Sequence, residues 1–227
     1  MRTLALLFAL CLGAPAIADT YRTYLPAGAG PFPAVLFVSG CSGFTGARGI
    51  NHYEEKAEEL RREGQLVVFV DYLARAGLKN CLNGMTHEQA ADELLRATVW
   101  ARSRTDVGSI AAVGWSYGGG AIIAALGRPK VDFARAVLIY PDCRPARHVE
   151  AGVPTLMLLA GNDDVTPISA CEDLKGQVRT VTYPGVEHGF DARGLPARFL
   201  YPVSAGTVGY NAEADRAAWS EIRAFLK

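Results

Sequence analysis

A serine flanked by glycines, Gly114-Trp115-Ser116-Tyr117-Gly118, stands between the apolar run Ser109-Ile110-Ala111-Ala112-Val113 and the helix-forming stretch Gly119-Gly120-Ala121-Ile122-Ile123-Ala124-Ala125-Leu126. A chain that leaves a buried strand and enters a helix within one pentapeptide must reverse sharply, which drives its central residue into a sparsely populated backbone conformation. Gly114 and Gly118 answer the steric demand of that reversal. The turn also puts Ser116 at the start of a helix, where unpaired N–H groups and the positive end of the dipole stabilise a developing negative charge. The pattern therefore requires a strand–turn–helix unit and makes Ser116 a candidate nucleophile.

The rest of the chain repeats the same alternation. Apolar, β-branched runs near residues 34–39, 66–71, 110–114, 134–140, 153–160 and 178–183 alternate with helical stretches at 52–63, 86–103 and 211–226. This is the pattern of a single α/β domain, a mostly parallel, doubly wound sheet with helices on both faces, occupying residues 19–227. Tyr53, Ala57 and Leu60 share one helix face, and Ala214, Ala218, Ile222 and Phe225 another, so both stripes are expected in the core. The runs Glu54-Glu55-Lys56 and Arg61-Arg62-Glu63 are expected on solvated helix faces, and Thr86-His87-Glu88-Gln89 reads as a capping box. Lysine plus arginine equal aspartate plus glutamate at 23 each, a balance that gives no support to nucleic-acid binding or to electrostatic capture by a membrane.

A serine hydroxyl is a weak nucleophile at neutral pH and needs a base, with a carboxylate to orient it; after an elbow of this kind they follow in the order acid, then histidine. The strand run Val153-Pro154-Thr155-Leu156-Met157-Leu158-Leu159 ends at Ala160-Gly161-Asn162-Asp163-Asp164, and ligands and catalytic groups gather at that edge of open α/β sheets. The last strand run is followed by Pro184-Gly185-Val186-Glu187-His188-Gly189-Phe190-Asp191, which makes His188 the expected base. His52 and His87 begin helices and His148 lies in a polar connection, so all three are expected to be solvated.

Taken together, these stretches resemble the dienelactone hydrolase family of α/β-hydrolases. The matching segments are Val38-Ser39-Gly40-Cys41-Ser42-Gly43, Gly114 to Gly119, Asp163-Asp164-Val165-Thr166-Pro167, Tyr183 to Asp191, and Ala217-Ala218-Trp219 through Phe225-Leu226. The resemblance implies hydrolysis of carboxylic esters or lactones through an acyl-enzyme. Founding members are similar but carry a cysteine where Ser116 stands, and many relatives read His-Gly-Cys-Gly-Gly where this chain has Ser39-Gly40-Cys41-Ser42-Gly43. Reaction type, and not lactone specificity, is thus what carries over.

An ungapped match to the family's strand-end pattern places the triad acid at Asp163, whose spacing to Pro167 fits family usage; counting three residues from Gly161 selects Asp164. In this fold the oxyanion hole is built from the N–H after the nucleophile and one from an early strand's loop, here Tyr117 and Cys41. Arg75 is a candidate for a substrate carboxylate, as in acid-binding relatives, or else a surface ion pair. Trp115, Tyr117 and Phe190 are candidates to line an apolar acyl pocket or to pack around the elbow, and residues 193–210 form a long connection.

Met1-Arg2-Thr3, the apolar run from Leu4 to Leu12 and Ala16-Ile17-Ala18 have the features of a secretory signal peptide over residues 1–18, which implies export to a periplasm or beyond, with no membrane anchor. Setting Cys11 aside with that segment leaves Cys41, Cys81, Cys143 and Cys171, an even set that suggests two disulfides with three connectivities open. Similar family members carry cysteines at the matching places, which favours Cys41 with Cys81 and Cys143 with Cys171. No pair has zinc-ligand spacing, so no metal or other cofactor is expected. Two other classes fit the same residues: a peptidase or acyltransferase on this fold, and a hydrolase-fold protein that binds a ligand without turnover.

Overall fold

The computed structural model describes residues 20–45, 52–129, 131–201 and 206–227; the expected signal peptide lies outside the described residues. In chain order the elements are β1 (Arg22–Tyr24), β2 (Phe32–Val38), α1 (His52–Arg62), β3 (Leu66–Val70), α2 (Tyr72–Arg75), α3 (His87–Arg102), β4 (Val107–Trp115) and α4 (Tyr117–Leu126). They continue with β5 (Arg135–Ile139), β6 (Glu150–Ala160), β7 (Lys175–Tyr183), β8 (Phe199–Tyr201), β9 (Gly206–Val208) and α5 (Ala212–Leu226). β1 to β7 build a seven-stranded sheet in the order β1-β3-β2-β4-β5-β6-β7, parallel throughout except for β1, which runs antiparallel along β3. This is the single-domain, mostly parallel sheet expected from the alternation of apolar runs, and the α/β-hydrolase fold that the resemblance implies.

The strand order locates the site. From β2 the chain passes outward to β3 and then returns across β2 to β4, after which it proceeds the other way. Connections leaving β2 and β4 therefore diverge and open a crevice at their carboxyl ends, where Val38 pairs with Gly114. Side chains alternate across the sheet: Ala34, Leu36 and Val38 face α3 and α4, while Val35 and Phe37 face α1 and α5. α4 is buried over its whole length, which explains why its sequence is apolar on every side.

Three local readings need correction. Lys56 is not on a solvated face: it lies one turn from Tyr53 and Leu60, is wholly buried, and donates to Asp215 at 2.6 Å with its ammonium 4.5 Å from the Trp219 ring centroid. The 193–210 connection contains the antiparallel pair β8–β9. The loop after β3 contains the one-turn helix α2, capped by Asp71 accepting from the Ala74 N–H at 3.1 Å. The Thr86–Gln89 capping box forms as read, with reciprocal bonds of 3.2 and 2.9 Å. Among the described residues no helix is long and apolar enough to cross a membrane.

Candidate active site

Ser116 sits at φ 51° and ψ −116°, a strained conformation for a side chain with a Cβ, between β4 and the first turn of α4. The flanking glycines are obligatory for packing. A Cβ on Gly118 would stand 2.2 Å from the Val38 carbonyl oxygen, and one on Gly114 would stand 2.6 Å from the Gly118 carbonyl oxygen. The elbow is pressed against the end of β2, and this contact aims Ser116 into the crevice.

His188 Nε2 lies 2.9 Å from Ser116 Oγ, and His188 Nδ1 lies 2.7 Å from Asp163 Oδ2. A carboxylate only accepts, so Nδ1 carries the proton and Nε2 presents its lone pair to the serine hydroxyl. Asp163 is oriented by its own loop: Oδ1 accepts from the Val165 and Thr166 N–H groups at 3.0 and 2.8 Å, and Oδ2 accepts from Thr166 Oγ1 at 3.0 Å. Its side chain is 1% exposed. Asp164 points elsewhere, accepting from the Thr207 N–H at 2.6 Å and from Thr207 Oγ1 at 3.0 Å, so it ties the acid loop to β9. Those bonds, the Thr207 N–H first, draw its carboxyl below the usual range. The adjacent acids are thus separated by function: one faces the imidazole and the other anchors a strand.

The first residues of the loop after β2 are held by several hydrogen bonds. Tyr53 Oη accepts from the Gly40 N–H at 3.0 Å, Tyr72 Oη donates to the Ser39 and Gly40 carbonyls at 3.1 Å, and the Cys81 N–H donates to the Cys41 carbonyl at 2.9 Å. A disulfide joins Cys41 to Cys81, and a second joins Cys143 to Cys171 beside the acid loop. The Tyr117 N–H opens α4, a position that has no partner within a helix. Neither tyrosine clamp is marked by a motif. Only their positions at the starts of α1 and α2, beside the catalytic edge, hint at the role.

Ser116 and His188 open onto a cavity of about 130 Å³, walled by Trp115, Tyr53, Leu195 and Tyr201, with His52 also in its wall. On the other side of Ser116 a wider groove of about 370 Å³ runs between the two disulfides past Tyr117, Asp142 and Arg144. Tyr201 and Ser42 bond at 2.8 Å, so β8 reaches across to the clamped loop. Trp115 belongs to the cavity floor, its Nε1 donating at 2.8 Å to the buried carboxylate of Asp191, which also accepts from Tyr140 Oη at 2.6 Å and Trp219 Nε1 at 3.3 Å. Burial, with the Asp191 charge second, holds the Tyr140 phenol well above its ordinary range, so it remains a donor. Its ring lies 4.5 Å from the His188 imidazole by centroid and backs the base.

Other candidates fall outside this cavity. Arg75 pairs with Glu93 and lies 4.9 Å over the Tyr21 ring, on a separate hollow beside α2, because α2 turns its guanidinium away from the crevice. Phe190 is fully buried against Tyr140 and Tyr183, beneath the His188 loop. Tyr117 lines the outer groove, where its ring stacks on His87 at 4.0 Å and its hydroxyl donates to the Met85 carbonyl at 2.7 Å. His87 is thereby packed where a solvated group was expected; His148 is exposed. His52 also departs from expectation, being 7% exposed, since α1 begins inside the crevice. Among the described residues no group of three or more histidine, cysteine or acidic side chains is placed to hold a metal.

No curated protein sequence matches the chain. Its fold is similar to that of Thermogutta terrifontis esterase 2 phosphoramylated by tabun, with TM-score 0.65 and 16% identity over 90% of this chain and 86% of that one. It is also similar to ferulic acid-bound Est1E from Butyrivibrio proteoclasticus, with TM-score 0.62 and 14% identity over 90% of this chain and 95% of that one. A sequence model of the dienelactone hydrolase family matches residues 20–227, and the chain belongs to that family.

Proposed function

We propose that the protein is a serine hydrolase that cleaves small carboxylic esters or lactones through an acyl-enzyme. The observation that carries this reading is the unbroken relay from Ser116 Oγ to His188 Nε2 and from His188 Nδ1 to Asp163. Ser116 attacks the carbonyl as His188 takes its proton, and Asp163 stabilises the imidazolium that forms. The N–H groups of Tyr117 and Cys41 receive the oxyanion, a task that requires donors already fixed in place, and the clamping of residues 39–41 supports it. His188 then gives its proton to the leaving alcohol, and a water activated by the same nitrogen releases the acid. Family membership supports ester hydrolysis as the overall chemistry. Residues 1–18 and the two disulfides support export to an oxidising compartment.

The test is the hydrolysis of short and medium p-nitrophenyl esters by the oxidised protein beside Ser116→Ala. The expected result is a loss in kcat on the order of 10⁶-fold, the size found when a triad nucleophile is removed, with an organophosphorus adduct on Ser116 in the parent only. Folded protein that neither turns over esters nor forms the adduct would replace this reading with ligand binding on a hydrolase fold.

A further inference from the structure

His52 is a buried polar group that the mechanism leaves unused. It is the first residue of α1, it forms part of the wall of the cavity that holds Ser116 and His188, and among the described residues neither of its ring nitrogens has a hydrogen-bond partner. Its ring is fixed in place: it stacks on Tyr53 at 3.9 Å between centroids and meets Trp115 edge-on at 6.3 Å. Leaving a buried polar group unpaired is costly, and native structures retain few such groups.

We infer that His52 reads the substrate, pairing with an uncharged hydroxyl or carbonyl oxygen carried by the part of the ester that enters this cavity. This deepens the serine hydrolase reading and rests on it. Burial, opposed by the charge of Asp191, holds the imidazole below its ordinary pKa, so at neutral pH the ring is uncharged and offers one donor and one acceptor. A neutral imidazole of that kind complements a hydroxyl better than it does a carboxylate. An apolar substrate leaves those nitrogens unpaired, whereas a hydroxylated one supplies the partner they lack. The cavity volume of about 130 Å³ limits the entering group to a few heavy atoms, since an engineered cavity of about 150 Å³ takes one benzene.

Two isosteric pairs of esters test this and show which side of the ester enters. Ethyl 3-hydroxybutanoate is compared with ethyl 3-methylbutanoate for the acyl side, and 2-hydroxypropyl acetate with 2-methylpropyl acetate for the alcohol side. In one of the two pairs kcat/KM should favour the hydroxylated ester by about tenfold. His52→Phe keeps the ring stack and should bring that ratio to about one or below, while His52→Gln, which keeps a donor and an acceptor, should retain part of it. A ratio near one in both pairs for the parent protein, or a preference that survives in both variants, overturns the role of His52 while leaving ester hydrolysis intact. Failure of the parent to hydrolyse any of the four esters, with Ser116 unreactive to an organophosphorus probe, overturns the hydrolase reading itself and this inference with it.

Discussion

The two halves of the site are held by different forces. The nucleophile half, built on the ends of β2 and β4, is fixed by backbone contact and covalent closure: no room for a Cβ at Gly114 or Gly118, two tyrosines on the Ser39–Gly40 carbonyls and amide, and the Cys41–Cys81 bond. The half that carries acid and base lies between β6 and α5 and is assembled from side-chain hydrogen bonds. Thr166 Oγ1 donates to Asp163, and Asp164 accepts from the N–H and hydroxyl of Thr207. Backbone packing tolerates almost no change of residue, whereas a side-chain lattice tolerates changes that spare the one bond in use. Substitutions in the second half should therefore sort sharply by which bond they remove.

The adjacent acids give the largest effect and the sharpest sorting. Asp163→Asn leaves His188 without the acceptor that fixes its tautomer, and kcat should fall by about 10⁴-fold, the loss seen when a triad aspartate becomes its amide. Asp164→Asn should leave kcat within about tenfold, because it breaks only the bonds to Thr207, and a hydrogen bond to a charged group is worth about 1.5–3 kcal/mol. Its signature should be earlier proteolytic cutting in the β8–β9 region. Steady-state kinetics and limited proteolysis of the two variants check both statements, and a reversal of the two activities would assign the triad acid to Asp164.

The disulfides sharpen the contrast because they close loops of similar length, with separations of 40 and 28 residues, and loop-closure entropy assigns both about 3.5–4 kcal/mol. Removing either pair by Cys→Ser substitution should lower Tm by a similar amount, about 8–15 °C for a chain of this size. Activity should separate them. Loss of Cys41–Cys81 frees the loop proposed to present the Cys41 N–H, so kcat measured well below Tm should drop about tenfold or more, since one oxyanion donor accounts for about 10²–10³ in rate. Loss of Cys143–Cys171 should leave kcat within a few-fold. Equal losses of kcat would show that the outer groove, and not the oxyanion loop, is what the disulfides organise.

The same division explains what was legible in the sequence. The elbow is a local pattern: strand, glycine, serine, glycine and helix are contiguous, so β4, α4 and Ser116 can be read directly from 109–126. His188 and the Asp163–Asp164 pair are visible by order along the chain, but choosing between the acids depends on Thr207, 43 residues from Asp164, which no local pattern reports. β1, β8 and β9 escaped notice because each has three residues, too few for a period to show. His52 and Lys56 were misplaced for one reason. A charged or polar residue at a helix start looks solvated unless the neighbouring element is known, and here α1 enters the crevice beside Trp115 and lies against Asp215. For Arg75 the two readings are a substrate carboxylate and an ion pair, and α2 turns it to the ion pair with Glu93.

The smallest effect tests the nucleophile half at His52, a buried histidine of the cavity wall. Burial lowers the His52 pKa in the folded protein, with the Asp191 charge opposing that shift. The unfolded chain, with a histidine pKa near 6.5, therefore binds more protons as pH falls through that value. Stability should be fully present above about pH 6.5 and decline below it toward the folded-state pKa. Carboxylates whose folded pKa is drawn down, Asp164 and the Arg144-bonded Asp142 among them, lose their contribution only nearer pH 4, so the interval from pH 6.5 to about 5 belongs to histidine. Thermal unfolding of the parent across that interval should show a falling Tm, and His52→Phe, with nothing to protonate at that position, should flatten the curve. Parallel curves for the two proteins would mean that His52 is solvated in the folded state, and the cavity wall would then be open on the α1 side.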